Sequence, residues 1–499
     1  MDSPSRFDPI FWVRWFWRQL TSMRTALFLL LLLALAAVPG SVYPQRSADP
    51  NGVRLYFSQQ PELAQVLDSL QLFDVYTSVW FSAIYILLFV SLVGCVLPRT
   101  KVHLNALRAK PVKTPELLTR MPVHQIGGKK ISLEDAQTVL KKRGFRVAIQ
   151  GNSVSAEKGY LKETGNLIFH YALLVVLIAI GIGGGYSYSG QRVLVEGETF
   201  VNNLASYDAF SPGPLFYEEE LQPYSVTLDK FSVLYDLQNP ANLGQPIDFI
   251  AEVTVAANGE TSEGVVRVNH PLPVPGANVY LTGNGFAPVV TVRDGDGNVA
   301  FTGPVVYLPQ DGNMTSIGVI KVPDASPEQI GFISFFYPTV SELESGAYTS
   351  IYPDPIDPLL TFNVYTGDLG LDSGIPRNVY ALDVTDMELV AGRDAANPAI
   401  ELRIGESAVL PNGLGTVSFD GLLRFASLDV AYNPGGIWVL IFSFVALFAV
   451  VISLSVVRRR IWVRIGDERI EYAGLARGDD DQLEQIVTEI KEEIEGRSA

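Results

Sequence analysis

The sequence holds four histidines, His103, His124, His170 and His270, and only His170 lies inside a long apolar run. From Leu167 to about Tyr186 the residues are apolar or small for roughly 20 positions, the length a helix needs to cross a hydrocarbon layer about 30 Å thick. Burial in lipid disfavours imidazolium, so the ring is kept neutral with one nitrogen lone pair to offer. A haem iron takes such a nitrogen as an axial ligand. A hydrogen bond between helices is the other use of a transmembrane histidine, and the residues alone leave both readings open. Lys158 and Lys162, at the polar foot of the same segment, are candidates to meet the propionates of a membrane-embedded haem. Glu163 or Asn166 is placed to orient the ring nitrogen that faces away from the iron.

No other chemistry is written as plainly. His103 and His124 fall in a basic loop without a partner at metal-ligand spacing. His270, in Arg267-Val-Asn-His-Pro-Leu272, reads as a turn residue ahead of a proline. Cys95 is the single cysteine, which excludes a disulfide framework, a Cys-x-x-Cys pair and a Cys-x-x-Cys-His haem attachment motif. No Ser/His/Asp set, paired-carboxylate site or phosphate loop is readable, and Gly181 to Gly185 lie in a span rather than after a strand. Asp294-Gly-Asp-Gly-Asn298 resembles the start of a calcium loop, but Val305 stands where the twelfth-position glutamate would be needed, so a hairpin turn is predicted.

These residues need elements to hold them, and the charge pattern supplies the layout. Mean hydropathy is +0.21 although the formal charge is −16, so apolar and acidic residues must be segregated along the chain. Residues 1–24 mix tryptophan, phenylalanine and arginine and read as an interfacial segment. Residues 25–44 form a first span, in preference to a cleaved signal peptide, because Pro39 and Tyr43 make a poor cleavage site. Residues 45–77 suggest short amphipathic helices, and 78–97 form a second span closed by Pro98. Between 98 and 165 there are 14 Lys and Arg against 5 Asp and Glu, which marks a cytoplasmic loop. No aromatic platform is interleaved with those lysines, so nucleic-acid binding is not predicted. The loop contains a capped helix after Ser132 and a strand pair turning at Gly151-Asn152, a small α+β module at most.

Residues 166–186 form the third span, carrying His170. From 187 to 433 the balance inverts to 31 acidic and 9 basic residues, with strand-period alternation and frequent turn signals such as Asn258-Gly259. An extracytoplasmic, antiparallel all-β domain of sandwich or barrel type is expected. Residues 436–457 form the fourth span, and Arg458-Arg-Arg460 behind it fixes a cytoplasmic exit. The tail, 458–499, ends in an amphipathic helix expected to dock on a surface. The predicted fold is thus an integral membrane α-helical protein of four spans plus a large extracytoplasmic β domain, with both termini cytoplasmic.

Several stretches together carry a family resemblance. They are Leu20-Thr-Ser-Met-Arg-Thr-Ala-Leu27, Pro39-Gly-Ser-Val-Tyr-Pro-Gln45, Lys162-Glu-Thr-Gly-Asn-Leu-Ile-Phe-His170, Gly190-Gln-Arg-Val-Leu-Val-Glu-Gly-Glu-Thr-Phe-Val-Asn202 and Val268-Asn-His-Pro-Leu272. With the arrangement of spans, they resemble the ResB-type cytochrome c biogenesis proteins of system II. The resemblance implies a bacterial plasma-membrane protein that works with a ResC (CcsA-type) partner, carries haem b non-covalently, and supports its attachment to apocytochrome c. It implies His170 as the transmembrane haem ligand and a thiol reductant as a possible further partner. The partner would supply the tryptophan-rich motif, because no Trp-Trp-Asp segment occurs here, so this chain is expected to be a non-catalytic or co-catalytic subunit of the synthase. The competing expectation is a membrane-anchored extracytoplasmic binding or scaffold protein that handles no haem.

Overall fold

A computed structural model describes residues 9–128, 131–236, 244–371, 378–466 and 469–497. Residues 1–8 of the predicted interfacial segment lie outside that set. The chain divides into two compact units, residues 1–184 with 434–499, and residues 185–433.

The first unit is built on helices. They are α1 (Pro9–Leu20), α2 (Met23–Val42), α3 (Pro50–Gln59), α4 (Pro61–Ser69), α5 (Val79–Arg108), α6 (Leu133–Lys142), α7 (Leu161–Tyr186), α8 (Gly436–Ser455) and α9 (Leu483–Arg497). Of these, α2, α5, α7 and α8 are long and apolar enough to cross a membrane. Ser22 and Ser78 cap the first two of these four, each hydroxyl accepting a backbone N–H three residues on. α1 presents Trp12, Trp15, Phe16 and Trp17 outward, as a helix at a headgroup boundary would. Between α2 and α5, the short α3 and α4 close over Val53, Ala64, Leu67 and Phe73.

The helix that carries the expected second span, α5, is longer than that span. It does not stop at Pro98 but runs on to Arg108. A proline removes one ladder bond, and a helix of 30 residues absorbs that loss where neighbouring helices support it. His103 is therefore a helical residue and not a loop residue.

The polar part of the first unit is larger than the loop alone suggests. Val123–Gly127, Arg146–Gln150 and Ser153–Lys158 share one antiparallel sheet of five strands with Arg459–Ile465 and Ile470–Ala476 from the tail. The order places Arg459–Ile465 against Ser153–Lys158, with Trp462 facing Ser155 in register. The helices α6 and α9 cover one face, burying Val139, Leu140, Val487 and Ile490 against Val154, Ile461 and Tyr472. So the terminal helix is a core element of this module and not a surface-docked appendage. Ser132 caps α6 and Gly144 ends it at a φ of +80°, as its sequence signals predict.

Among the described residues of the second unit the strands pair antiparallel. Its axis is a pair of 17-residue strands, Ala277–Arg293 and Thr416–Tyr432, hydrogen-bonded along nearly their full length. Such strands are about three times the usual length and can serve two cores. One end, with Val279, Leu428 and Val430, packs on a four-stranded sheet through Val226, Leu228 and Val253. The other end, with Phe286, Val290 and Phe419, packs on a six-stranded sheet through Ile320, Phe332 and Phe362. Asp294 to Asn298 is a hairpin turn, in which the Asp294 carboxylate accepts the N–H groups of Asp296 and Asn298. His270 is exposed at a turn closed by mutual backbone bonds with Arg267.

Candidate ligand site at the polar end of the helices

His170 sits on α7 half-buried. Its Nδ1 lies 2.7 Å from the carbonyl oxygen of Asn166, one turn earlier. A carbonyl can only accept, so Nδ1 carries the proton and Nε2 keeps the lone pair. That Nε2 has no hydrogen-bond partner among the described residues. A cavity of about 120 Å³ is lined by His170 together with Met23, Leu27, Cys95, Arg99 and Leu167. A second, of about 530 Å³, shares Arg99, Asn166 and Leu167 with the first and adds His103, Lys162, Glu163, Arg458 and Arg477.

Helical spacing explains the convergence. Glu163, Asn166, Leu167 and His170 fall at i, i+3, i+4 and i+7 on α7, which is one face. Arg99, Val102, His103 and Ala106 repeat the same spacing on α5. The two helices are joined by three side-chain bonds. His103 Nε2 meets Thr164 Oγ1 at 2.9 Å, Thr100 meets the Tyr171 hydroxyl at 2.9 Å, and the Tyr85 hydroxyl donates to the Leu177 carbonyl. Because the Thr164 hydroxyl already donates to the Tyr160 carbonyl, it accepts from His103, whose proton is thereby placed on Nε2. The helix α8 closes from another side at Gly165, where a side chain would strike the Ala449 carbonyl.

Below the cavities lies a network of ions. Glu157, with only 2% of its side chain exposed, accepts from Arg460 at 2.6 Å, from the Tyr160 hydroxyl, and from Arg458 at 3.4 Å. Burial alone would raise the Glu157 pKa, but the Tyr160 hydroxyl and the two guanidinium groups outweigh it and hold the carboxyl below its ordinary value. Arg458 also pairs with Glu163 at 3.0 Å and stacks on the Tyr160 ring. Arg477 pairs with the same Glu163 oxygen at 2.9 Å. The other oxygen of Glu163 and the Nε of Arg458 are buried without a hydrogen bond.

Of the residues singled out in the sequence, Lys162, Glu163, Asn166 and His170 are thus brought together. Lys158 is not: its ammonium donates to the Arg143 carbonyl at 2.9 Å, lies over the Phe145 ring, and lines neither cavity. Asn166 orients the imidazole through its carbonyl and not through its side chain. Arg99, His103, Arg458 and Arg477 were not predicted as site residues. The i, i+3, i+4, i+7 stripe from Arg99 to Ala106 is the signal that finds the first two once α5 continues past Pro98. Cys95 donates to the Thr21 carbonyl at 3.0 Å, within the helix packing. Among the described residues no cluster of three or more His, Cys, Asp or Glu could hold a bare metal ion.

Four membrane-length helices interrupted by an antiparallel β region, with one half-buried imidazole at the polar end of a span, define a polytopic membrane protein with a cavity at its helix ends. The chain belongs to the ResB-like family, whose model matches residues 23–488. It is similar to the cytochrome c biogenesis protein CcsB of Microcystis aeruginosa, 27% identical over 293 residues, covering 56% of this chain and 62% of that protein. The CcsB protein of Synechococcus sp. strain CC9902 is 29% identical over 270 residues, covering 52% of this chain and 59% of that protein. The cytochrome c biogenesis protein Ccs1 of Porphyra purpurea is 26% identical over 280 residues, covering 54% of this chain and 61% of that protein. The matched stretch spans under two thirds of the length of these relatives.

Proposed function

We propose that this chain is the ResB subunit of a system II cytochrome c synthase complex and holds haem b non-covalently on its way to apocytochrome c. The reading rests on one observation above the others: in a ResB-like chain, His170 lines a cavity and its Nε2 has no hydrogen-bond partner among the described residues, while its Nδ1 proton is held by the Asn166 carbonyl. Ligating histidines characteristically donate their second nitrogen to a carbonyl or carboxylate in this way. Haem is cargo here, and its iron would be the group that Nε2 binds. Lys162, Glu163 and Asn166 complete the polar rim of the same cavities.

In the orientation that the positive-inside rule favours, the basic sheet module and both termini are cytoplasmic, and the acidic β unit lies outside the plasma membrane. His170 then stands near the cytoplasmic end of its span. No other span of the chain offers an imidazole at His170's depth, so a ResC (CcsA-type) partner supplies the remaining ligands and the attachment chemistry. The β unit serves as the platform for that partner, for apocytochrome c or for a thiol reductant. This chain acts as a non-catalytic or co-catalytic subunit.

The test is purification of the parent and His170→Ala proteins, each with the ResC-type partner, and comparison of haem content and Soret absorption. The expected result is loss of most of the haem with the complex intact. Equal haem in both proteins overturns the reading and favours a binding or scaffold protein with His170 as a packing residue.

A further inference from the structure

The larger cavity carries more positive charge than its own carboxylate neutralises. Arg458 and Arg477 are both paired with Glu163, and Arg458 also reaches Glu157. Arg99 and Lys162 have no carboxylate partner among the described residues. The Arg99 guanidinium meets only the thioether of Met23, a weak acceptor, at 2.6 Å. Lys162 reaches only the Arg477 carbonyl, at 3.5 Å. Both cations line the cavity of about 530 Å³, a volume within the usual range for small-ligand sites, and they stand on α5 and α7 at the end of the apolar spans. The rest of the wall includes Pro98, Val102, Ala106 and Leu167, which are apolar.

Two uncompensated cations beside an apolar wall, at the depth where hydrocarbon gives way to water, match one kind of molecule. Its body is apolar, and its end bears one or two negative charges. We propose that the larger cavity binds the anionic end of an amphiphile, with Arg99 and Lys162 as charge partners for its carboxylate or phosphate groups and Val102, Ala106 and Leu167 against its apolar part. The chemistry is shared by the carboxylates of haem and by the headgroup of an acidic phospholipid. It does not require His170 to bind iron.

The experiment uses the full chain with its membrane partner. In one arm, detergent-solubilised protein is titrated with hemin and with hemin dimethyl ester, which keeps the ring and removes both negative charges. In the other, the protein is placed in bilayers of phosphatidylcholine with and without phosphatidylglycerol, and lipid retained after transfer to detergent is measured by mass spectrometry. The variants are Arg99→Gln with Lys162→Gln, the charge-keeping Arg99→Lys, and His170→Ala. A charged hydrogen bond sets a scale on the order of tenfold in affinity for each cation. The expected result is that the double variant loses at least tenfold for hemin but not for its ester, or loses phosphatidylglycerol but not phosphatidylcholine, with Arg99→Lys close to the parent. The first pattern assigns the anion to haem and the second to lipid. If the double variant matches the parent in both arms, the proposal is overturned, whatever His170→Ala does. If His170→Ala keeps its haem while the double variant loses an anionic ligand, iron ligation fails and this site stands.

Discussion

The imidazole of His170 and the carbonyl of Asn166 are joined at 2.7 Å within one turn of α7. The bond comes from the backbone, so the side chain at position 166 is not what holds the ring. Asn166→Ala is expected to leave hemin affinity within about threefold of the parent, because a carbonyl remains to accept the Nδ1 proton. His170→Ala is expected to lose well over tenfold, the scale on which even supporting groups of a metal ligand act. Titration followed at the Soret band separates the two. Equal damage from both substitutions would mean that the Asn166 amide, not the carbonyl, orients the ligand.

Glu157 gives the ion network a pH dependence of definite sign. Its folded pKa lies below its ordinary value, which is about 4.3 in an unfolded chain. The unfolded state therefore takes up the proton more readily, so the stabilisation from this carboxylate is present above about pH 4.3 and is lost as pH falls through the folded value. Glu157→Gln leaves Arg458 and Arg460 without their shared anion, in a place where the wild-type carboxylate is 2% exposed. Arg458 keeps Glu163 and Arg460 is a third exposed, so the cost is that of lost charged hydrogen bonds, about 1.5–3 kcal/mol. Thermal midpoints of parent and variant should differ most near neutral pH and converge in acid. A gap that stays constant into acid would show that the carboxylate charge is not the source of the stabilisation.

Two glycines of α7 should respond in opposite directions to the same change. A Cβ on Gly165 would lie 2.7 Å from the Ala449 carbonyl and 3.0 Å from the Ser453 nitrogen, both backbone atoms of α8. A Cβ on Gly181 would meet nothing within 4 Å. Gly165→Ala forces the two helices apart and is expected to cost about 1–3 kcal/mol, the scale of overpacking. Gly181→Ala only removes backbone freedom from the unfolded chain and should be neutral or stabilising by about 0.5–1 kcal/mol. Unfolding of the detergent-solubilised protein decides it. If Gly165→Ala were as harmless as Gly181→Ala, the close approach of α7 and α8 would not be part of the native packing.

The four spans, the Ser132 cap and the hairpin at Gly151-Asn152 are legible in the sequence because each depends on neighbours along the chain. What could not be read depends on residues hundreds of positions apart. Arg458-Arg-Arg460 looks like a charge anchor behind a span, yet Arg458 and Arg460 turn to Glu157 while Arg459 turns to Asp480. That alternation is the strand period, but its meaning appears only when Arg459–Ile465 pairs with Ser153–Lys158. Arg99 and His103 were hidden by a local rule, that proline ends helices, which tertiary support overrides in α5. His170, by contrast, stood out because a lone ionisable group in lipid requires a reason. Asn166 was legible as one of two candidate partners, but its backbone role was not, since any residue at that position would have offered the same carbonyl.

The terminal helix α9 is held by two kinds of contact, and their magnitudes predict which matters. Arg143 on the end of α6 reaches Glu489 at 2.9 Å and Glu493 at 2.8 Å. All three side chains are roughly a quarter or more exposed, so water and salt screen the pairs and leave them weak. Ile490, in contrast, is fully buried beside Val487 and Tyr472. Truncating a buried isoleucine costs about 2–5 kcal/mol through lost burial and the cavity left behind. Ile490→Ala should therefore loosen the module more than Arg143→Ala, and added salt should widen no gap between the parent and Ile490→Ala. Limited trypsin digestion of the full chain reads this directly, because α9 carries Lys491 and detaches when the packing fails. Its loosening would also release the strand that carries Arg460 against Glu157, so the same variant should weaken the ion network below the cavities. If Arg143→Ala proved the more susceptible of the two, the ion pairs and not the core would be what seats the helix.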